Sequence, residues 1–225
     1  MRHIKTPKKI LDLTTMPFDG IRNAHLEQVA AELYSDQMPY HNFNHVFGTL
    51  VAAELLMERC LKEGVPINGE VVYFALLFHD AGYHEDHINK GFATKEEYSA
   101  HLAIQCLRAE AIPEDTIKRV VAAILSTQRD AQFTSNEEKT VRAADLAGLA
   151  SDYKNFRSDV EKLRQESEML TGRKVAWDEW KTSTAETIRF YLSPVGLALP
   201  EACADNAATF YAQANQNLSR LLSEH

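Results

Sequence analysis

Cysteine, glycine and proline are all scarce in this chain of 225 residues, which has three Cys, nine Gly and seven Pro. The cysteines, Cys60, Cys106 and Cys203, lie far apart, so neither a disulfide framework nor a Cys-based zinc site is indicated. So few Gly and Pro residues are not typical of a linker-rich or disordered protein. We therefore expect an ordered, soluble protein of a reducing compartment, the cytoplasm.

Long apolar runs and clustered basic residues are also missing. The longest apolar run, residues 71–78, is far shorter than the roughly 20 residues that cross a bilayer. With 24 Lys and Arg against 32 Asp and Glu, the formal net charge is −8, which argues against binding extended nucleic acid. We expect no membrane partner and no extended nucleic-acid partner. A small anion held at one metal-centred pocket remains compatible with this charge.

Apolar residues recur at spacings of three and four along most of the chain, a pattern typical of amphipathic helices. The run 71–78 follows Asn68, a good N-cap, and is apolar on every side, so we expect a buried helix there. A strand would also fit this run, but its helical flanks and the lack of a pairing partner argue against it. The other predicted helices cover about residues 21–33, 44–63, 94–109, 113–125, a segment from 136, 153–170, 175–192 and 200–222.

The sequence therefore predicts an all-α bundle of about eight to ten helices. We expect one domain over residues 1–225, with C-terminal helices over 171–225 packing on a core over about 20–170. Local signals predict several helix starts. Thr94 and Glu97 fit a capping box, Pro113 suits a first helical position, and Asn136 suits a helix start.

Six of the nine histidines lie between residues 41 and 101: His41, His45, His79, His84, His87 and His101. His41 and His45 are four apart, so both imidazoles can share one face of a helix. The last three are more typical of solvent-facing positions. Each histidine taken alone also fits an ordinary satisfied side chain.

His79 and Asp80 end the most apolar segment of the chain, and Asp145 is the only acid in the apolar stretch 141–148. Burying a carboxylate beside an imidazole is costly unless something compensates, and a divalent cation would compensate both groups. Taken alone, His79-Asp80 could also be a C-terminal helix cap with a local ion pair. Asp145 taken alone could be a surface acid on an amphipathic helix. Together with His45, they form a nitrogen and oxygen set suited to a hard or borderline divalent metal.

The order His45, His79-Asp80, Asp145 resembles the signature of the HD superfamily of metal-dependent phosphohydrolases. A group of small bacterial predicted HD phosphohydrolases is the more specific likeness, over about residues 20–170. The shared motifs are Tyr40-His41 with His45, Phe78-His79-Asp80 with Tyr83, Glu96 with Ser99-Ala100, and Ala144-Asp145-Leu146.

The resemblance implies an HD-type helical domain and hydrolysis of a phosphate ester or anhydride by a metal-activated water. The implied metal ligands are His45, His79, Asp80 and Asp145, and the implied ion is Mn, Mg, Fe, Co, Ni or Zn. The substrate would be a small phosphorylated compound, a nucleotide. Asp80 or Glu96 would orient or deprotonate the water. Residues 40–45 also resemble the opening motif of cyclic-nucleotide phosphodiesterases, which implies that His41 is the general acid.

Five further residues are candidates to support the ligands or hold the phosphate: Asn42, His84, Lys90, Lys95 and Arg129. No histidine occurs between His101 and His225, which favours one tight metal over two and counts against a di-iron oxygenase. A non-catalytic module that binds a metal or a nucleotide remains an alternative, and a homo-oligomer stays open. Trp177, Trp180 and Tyr191 are interpreted as core or interface residues.

Overall fold

In the computed structural model, the described part of the chain is Phe18, residues 20–200 and residues 203–224, without the side chains of 204–206. Within it, every regular element is helical, which confirms the all-α prediction. There are nine α-helices, α1 to α9, and one short 3-10 helix, Leu146–Ala150. The α-helices are Ala24–Glu32, Phe43–Lys62, Gly69–Phe78, Lys95–Ala109, Glu114–Leu125, Asn136–Asp145, Tyr153–Thr171, Trp177–Tyr191 and Ala204–Leu222.

The polar residues that were expected to begin helices do so with small differences. Asn68 Oδ1 accepts from the N–H of Val71 at the start of α3, at 3.1 Å. Thr94 Oγ1 accepts from the N–H of Glu97 at 3.2 Å, but the Glu97 carboxylate accepts from the N–H of Ala93 and not from that of Thr94. Pro113 is the cap of α5 and not its first helical residue, because its ψ of 137° is extended.

Other helix ends shift by a few residues. Ser135 caps α6, which begins at Asn136 as expected. The helix predicted from Val175 begins at Trp177, after the extended Ala176. The helix predicted from Pro200 is described from Ala204, and residues 201–202 lie outside the described part.

The core of the first six helices is built around α3. All residues from Val71 to Phe78 are buried, as the apolar run predicts. Helices α1, α2, α4, α5 and α6 surround α3, and their buried side chains form one continuous hydrophobic cluster with it. Burying one large aliphatic or aromatic side chain contributes about 1.5–3 kcal/mol, so this run is a main source of stability.

Helices α7, α8 and α9 share a second hydrophobic cluster. Its buried members are Phe156, Val160, Ala185, Ile188, Leu218 and Leu221. Buried Asn217 of α9 donates hydrogen bonds to the carbonyls of Leu149 and Ser151, at 3.0 and 2.8 Å. These bonds fix α9 against the short 3-10 helix, which directly follows α6.

A tight turn follows the His79-Asp80 pair. Gly82 has a φ of +74°, and a Cβ there would lie 2.5 Å from the Tyr98 ring. Only glycine fits both the left-handed backbone and the close ring. Its N–H donates to the carbonyl of Leu33 at 2.9 Å, so the turn is held in place. No helix in the described ranges is both long enough and apolar enough to cross a membrane.

Candidate metal centre and adjoining cavity

Three helices bring four side chains that are distant in sequence to one point. His45 is in the first turn of α2, His79 and Asp80 directly follow α3, and Asp145 ends α6. One ligand atom from each lies within 4.8 Å of all the others. His45 Nε2 is 3.1 Å from Asp145 Oδ1, and His79 Nε2 is 3.0 Å from Asp80 Oδ2. These four side chains can hold a metal ion.

The fit of a cation is supported by two buried polar atoms that lack partners. His79 Nδ1 lies 2.9 Å from the carbonyl of Leu76 and donates to it, so Nε2 is the nitrogen that faces Asp80 and that would coordinate a metal ion once its proton is displaced. Both His79 Nε2 and Asp80 Oδ2 are buried and make no hydrogen bond, since their 3.0 Å contact lacks hydrogen-bond geometry. Each such atom costs about 1–3 kcal/mol. A cation coordinated by both atoms would remove this cost.

In the cluster, the imidazole of His79 and the carboxylates each stabilise the charged form of the other. Burial lowers the pKa of His79, but attraction to Asp80 and Asp145 outweighs it and raises this pKa to about 10. Burial raises the pKa of Asp80, but His79, Lys95 and His41 hold it well below its usual value. The cluster without a cation therefore holds a proton on His79. A metal ion has to displace that proton, because a coordinating imidazole is neutral.

His41 lies beside the four candidate ligands, and Glu166 contacts the side of its ring that faces away from them. The Nδ1 of His41 contacts Glu166 Oε1, and the backbone N–H groups of Tyr40 and His41 donate to Glu166 Oε2 at 3.1 and 2.9 Å. The imidazole stacks on the Tyr83 ring with centroids 3.9 Å apart. His41 Nε2 consequently faces the cluster, 3.9 Å from Asp80 Oδ2.

Glu166 is buried on α7 with an exposure of 1%. Burial raises its pKa, but the hydrogen bonds from His41 and from the backbone outweigh burial and lower it. A charged Glu166 therefore orients the ring of His41.

Lys95 supplies a cation at the same place. Its Nζ is 3.3 Å from Asp80 Oδ1 and 3.2 Å from Glu96 Oε1, and lies over the Tyr83 ring at 4.9 Å. Burial lowers the pKa of Lys95, but the two carboxylates outweigh burial and raise it. Lys95 stays charged at every physiological pH.

A cavity of about 490 Å³ adjoins the cluster. Its polar end is lined by the cluster carboxylates, His41, Lys95 and Glu96, and its other walls come largely from α7 and α8. Trp180 and Tyr191, interpreted from the sequence as core or interface residues, both line it. Trp177 does not line it and instead stacks on the Arg157 guanidinium, at 3.9 Å from its ring centroid.

A second cavity of about 500 Å³ reaches the cluster from another side. Its lining includes His45, Asp145 and Asn42. Asn42 caps α2 by accepting from the N–H of Asn44 at 2.9 Å, and its amide donates to the Met38 carbonyl at 2.8 Å. Its hydrogen-bonding groups are thus engaged in local structure.

Three other sequence candidates lie apart from the cluster, and none lines either cavity. Lys90 Nζ pairs with Glu85 at 2.6 Å. His84 Nε2 lies 4.0 Å from the other Glu85 oxygen. The Arg129 guanidinium covers the Phe190 ring at 4.5 Å. Of the five residues proposed to support the ligands or hold phosphate, the structure brings only Lys95 to both the cluster and the main cavity.

Glu166 is the site residue that the sequence analysis missed. It lies three residues after Leu163 and four before Leu170 on α7, so it shares the face of these apolar residues. An acid among apolar residues is the kind of anomaly that singled out Asp145, the only acid in the stretch 141–148. That signal was present in the sequence, but nothing in it indicated that His41 is the partner.

No model of a known protein family matches this chain, and no curated protein matches it. The likeness to the HD superfamily therefore stays a prediction that depends on the residues themselves.

Proposed function

We propose that this protein is an HD-type metal-dependent phosphohydrolase that cleaves a phosphate ester or anhydride of a small molecule, a nucleotide being the expected class. One observation carries the proposal. A buried cluster of two imidazoles and two carboxylates, with two polar atoms that lack partners, opens into a cavity that also contains a lysine and a buttressed histidine.

The residues that would hold the ion are His45, His79, Asp80 and Asp145. This donor set suits Mn, Mg, Fe, Co, Ni and Zn in some measure. A divalent cation there would lower the pKa of a water molecule and offset the charge of the phosphoryl oxygens. The remaining chemistry belongs to the side chains around the cavity.

Lys95 is suited to bind a phosphoryl oxygen. Its ammonium group lies at the boundary between the cluster and the cavity, within 3.3 Å of Asp80 and 3.2 Å of Glu96. The two carboxylates orient the ammonium group, and a substrate phosphate would add a third anion to it. Glu96 lines the same cavity and can accept a proton from the attacking water.

His41 is suited to protonate the leaving oxygen. Glu166 occupies its Nδ1, so Nε2 is the nitrogen that meets the substrate. Proton donation to the leaving group by a positioned imidazole contributes typically about 10²- to 10⁴-fold to the rate of such reactions. Glu166 acts through His41 and is a positioning residue.

The test is to replace Asp80 with Ala and to measure metal content and hydrolysis of phosphate esters together. Both should be lost, because Asp80 contacts His79, His45 and Lys95 in the cluster. Asp115→Ala, which removes an exposed carboxylate on α5, is the matched control and should retain both. Full turnover in the Asp80→Ala variant would reject the proposal. Metal retention by the unaltered protein without turnover on any phosphate ester or anhydride would indicate the non-catalytic module instead.

A further inference from the structure

The cavity beside the cluster has two chemically different ends. Its polar end is formed by the cluster, His41, Lys95 and Glu96. At the other end, α7 and α8 supply large apolar side chains, among them Phe156, Val160, Leu163, Trp180 and Ile188. A ligand that fills the cavity therefore has one charged end and one apolar end.

The balance of charge limits how much phosphate can bind. The lining residues include five carboxylates, namely Asp80, Glu96, Asp145, Asp159 and Glu166. Among the described residues that line the cavity, Lys95 is the only Lys or Arg. One phosphoryl group can be met by the ion and Lys95. Each further phosphate would add negative charge beside carboxylates with no cation to meet it, and uncompensated like charges cost several kcal/mol in a recognition site.

The hydroxyl groups of the lining threonines are largely engaged already. Thr127, Thr171 and Thr187 line the cavity, and each donates to a backbone carbonyl of its own helix or helix end, at 2.8, 2.7 and 3.1 Å. The Trp180 indole N–H likewise donates to the Val160 carbonyl at 3.0 Å. The indole is therefore held as a rigid apolar surface, while Ser167, Ser183 and Thr184 add neutral hydroxyl groups to the same walls.

We propose that the substrate is a phosphomonoester with one phosphoryl group on an uncharged, largely apolar body, aromatic or alkyl, which lies along α7 and α8, and that this class replaces the nucleotide implied by the resemblance. This inference rests on the proposed function, since it concerns the same site. A volume of about 490 Å³ is within the usual range for small-molecule sites and accommodates a phosphate with a fused-ring body.

The first experiment compares three probes on the manganese-loaded protein: 1-naphthyl phosphate, glycerol phosphate and adenosine triphosphate. We expect KM for naphthyl phosphate to be lower than KM for both others by about tenfold or more, because each buried CH₂ equivalent contributes about 0.8 kcal/mol. KM is compared because naphthol is a better leaving group than glycerol, which raises kcat whatever the wall binds. An equal or lower KM for adenosine triphosphate or glycerol phosphate would overturn the inference.

The second experiment alters the apolar wall without touching the cluster. Leu163→Lys places a cation on the wall, so KM for naphthyl phosphate should rise about fivefold or more and KM for adenosine triphosphate should fall. Met169→Lys is the matched control, since Met169 is 53% exposed on the same helix and does not line the cavity. Leu163→Ala should raise KM for naphthyl phosphate in the same direction if the lysine variant fails to fold. Equal effects of the Leu163→Lys and Met169→Lys substitutions, or no effect of Leu163→Ala, would contradict the inference.

Calorimetric binding of the same probes separates the two proposals. Tight binding of naphthyl phosphate with no turnover of any ester would refute hydrolysis and support the ligand class. Turnover without preference for the apolar ester would support hydrolysis and refute the ligand class. Neither binding nor turnover would refute both.

Discussion

Two clusters of buried charge lie against α3, and they differ in how their polar atoms are paired. In the first, the Arg22 guanidinium donates to both Glu27 oxygens at 2.8 Å, and the Tyr73 hydroxyl donates to Glu27 at 2.5 Å. In the second, at the end of α3, His79 Nε2 and Asp80 Oδ2 are buried without a hydrogen bond. A paired cluster explains itself as structure. Buried polar atoms without hydrogen bonds, as in the second cluster, are suited to coordinate a cation.

The site cluster should lose turnover but keep its metal when His41 is changed. We expect His41→Gln to lower turnover about 10²- to 10⁴-fold, because the proton donor is lost, and to leave metal content unchanged. Steady-state kinetics and elemental analysis measure the two quantities. His84→Gln is the matched control, since His84 is exposed and lies outside the cavity. Loss of metal in the His41 variant would instead make His41 a ligand.

A substitution in the first cluster, formed by Arg22, Glu27 and Tyr73, should lower stability and leave metal content unchanged. Glu27→Ala leaves the partly buried Arg22 without its carboxylate, and breaking a buried pair typically costs about 3–5 kcal/mol. We expect this loss in the free energy of unfolding, measured by denaturant titration, with unchanged metal content. Glu114→Ala breaks the exposed pair with Arg108 and should change stability little. An unstable Glu114→Ala variant beside a stable Glu27→Ala variant would contradict the comparison.

Added metal should raise the free energy of unfolding of the protein by binding at the cluster of His45, His79, Asp80 and Asp145. At a free metal concentration about 100 times the dissociation constant, the gain is about 2.7 kcal/mol, visible as a higher Tm. The Glu27→Ala variant should keep this gain, because its change is remote from the four ligands, whereas Asp80→Ala should lose it. A gain that survives in Asp80→Ala would mean that the ion binds elsewhere.

The pH should act on metal binding through His79. The cluster raises the pKa of His79 to about 10, so at neutral pH the ring carries a proton that a metal ion has to displace. Apparent affinity should therefore rise with pH, by about tenfold per unit at most, until pH passes the raised pKa. Calorimetry at about pH 6 and about pH 8, in buffers that differ in ionisation enthalpy, measures the affinity and the proton released. An affinity independent of pH, with no proton release, would exclude His79 as a ligand.

The raised pKa has a second consequence for the protein without metal. A group whose folded pKa is raised stabilises the fold below its unfolded pKa, about 6.5 for histidine, and loses that contribution as pH rises through the folded value. The charged His79 thus supports the metal-free fold at neutral pH, between Asp80 and Asp145.

Much of the fold follows from local patterns. The side chains of Asn68 and Thr94 accept hydrogen bonds from backbone N–H groups three residues further along the chain. Caps of this kind depend on neighbouring residues only, so sequence spacing predicts them well. The four candidate ligands could also be proposed from the sequence. Acids and imidazoles at the ends of apolar helices become buried however those helices pack, and burying them is costly without a compensating partner. Pro113 was misplaced by one position, since its φ suits both a cap and a first helical residue, and only its ψ decides.

Contacts between distant helices were not predictable in this way. Nothing local distinguishes Lys95, which reaches Asp80, from Lys90, which pairs with Glu85. Arg142 is a further example, because it is buried and its guanidinium donates to the carbonyls of Gly196 and Thr127. Which long side chain turns inward depends on the packing of elements far apart in sequence.

By itself, the sequence determined the helical class, the buried position of α3 and the residue types of the candidate metal cluster, since these follow from periodicity, apolar content and the cost of burying charge. The tertiary structure decided that Glu166 contacts His41, that Lys95 faces Asp80 of the candidate metal cluster and that α7 and α8 line the cavity. The physical reason is the distance along the chain over which each kind of interaction acts. Backbone hydrogen bonds and caps act within a few residues, whereas these contacts depend on how whole helices pack.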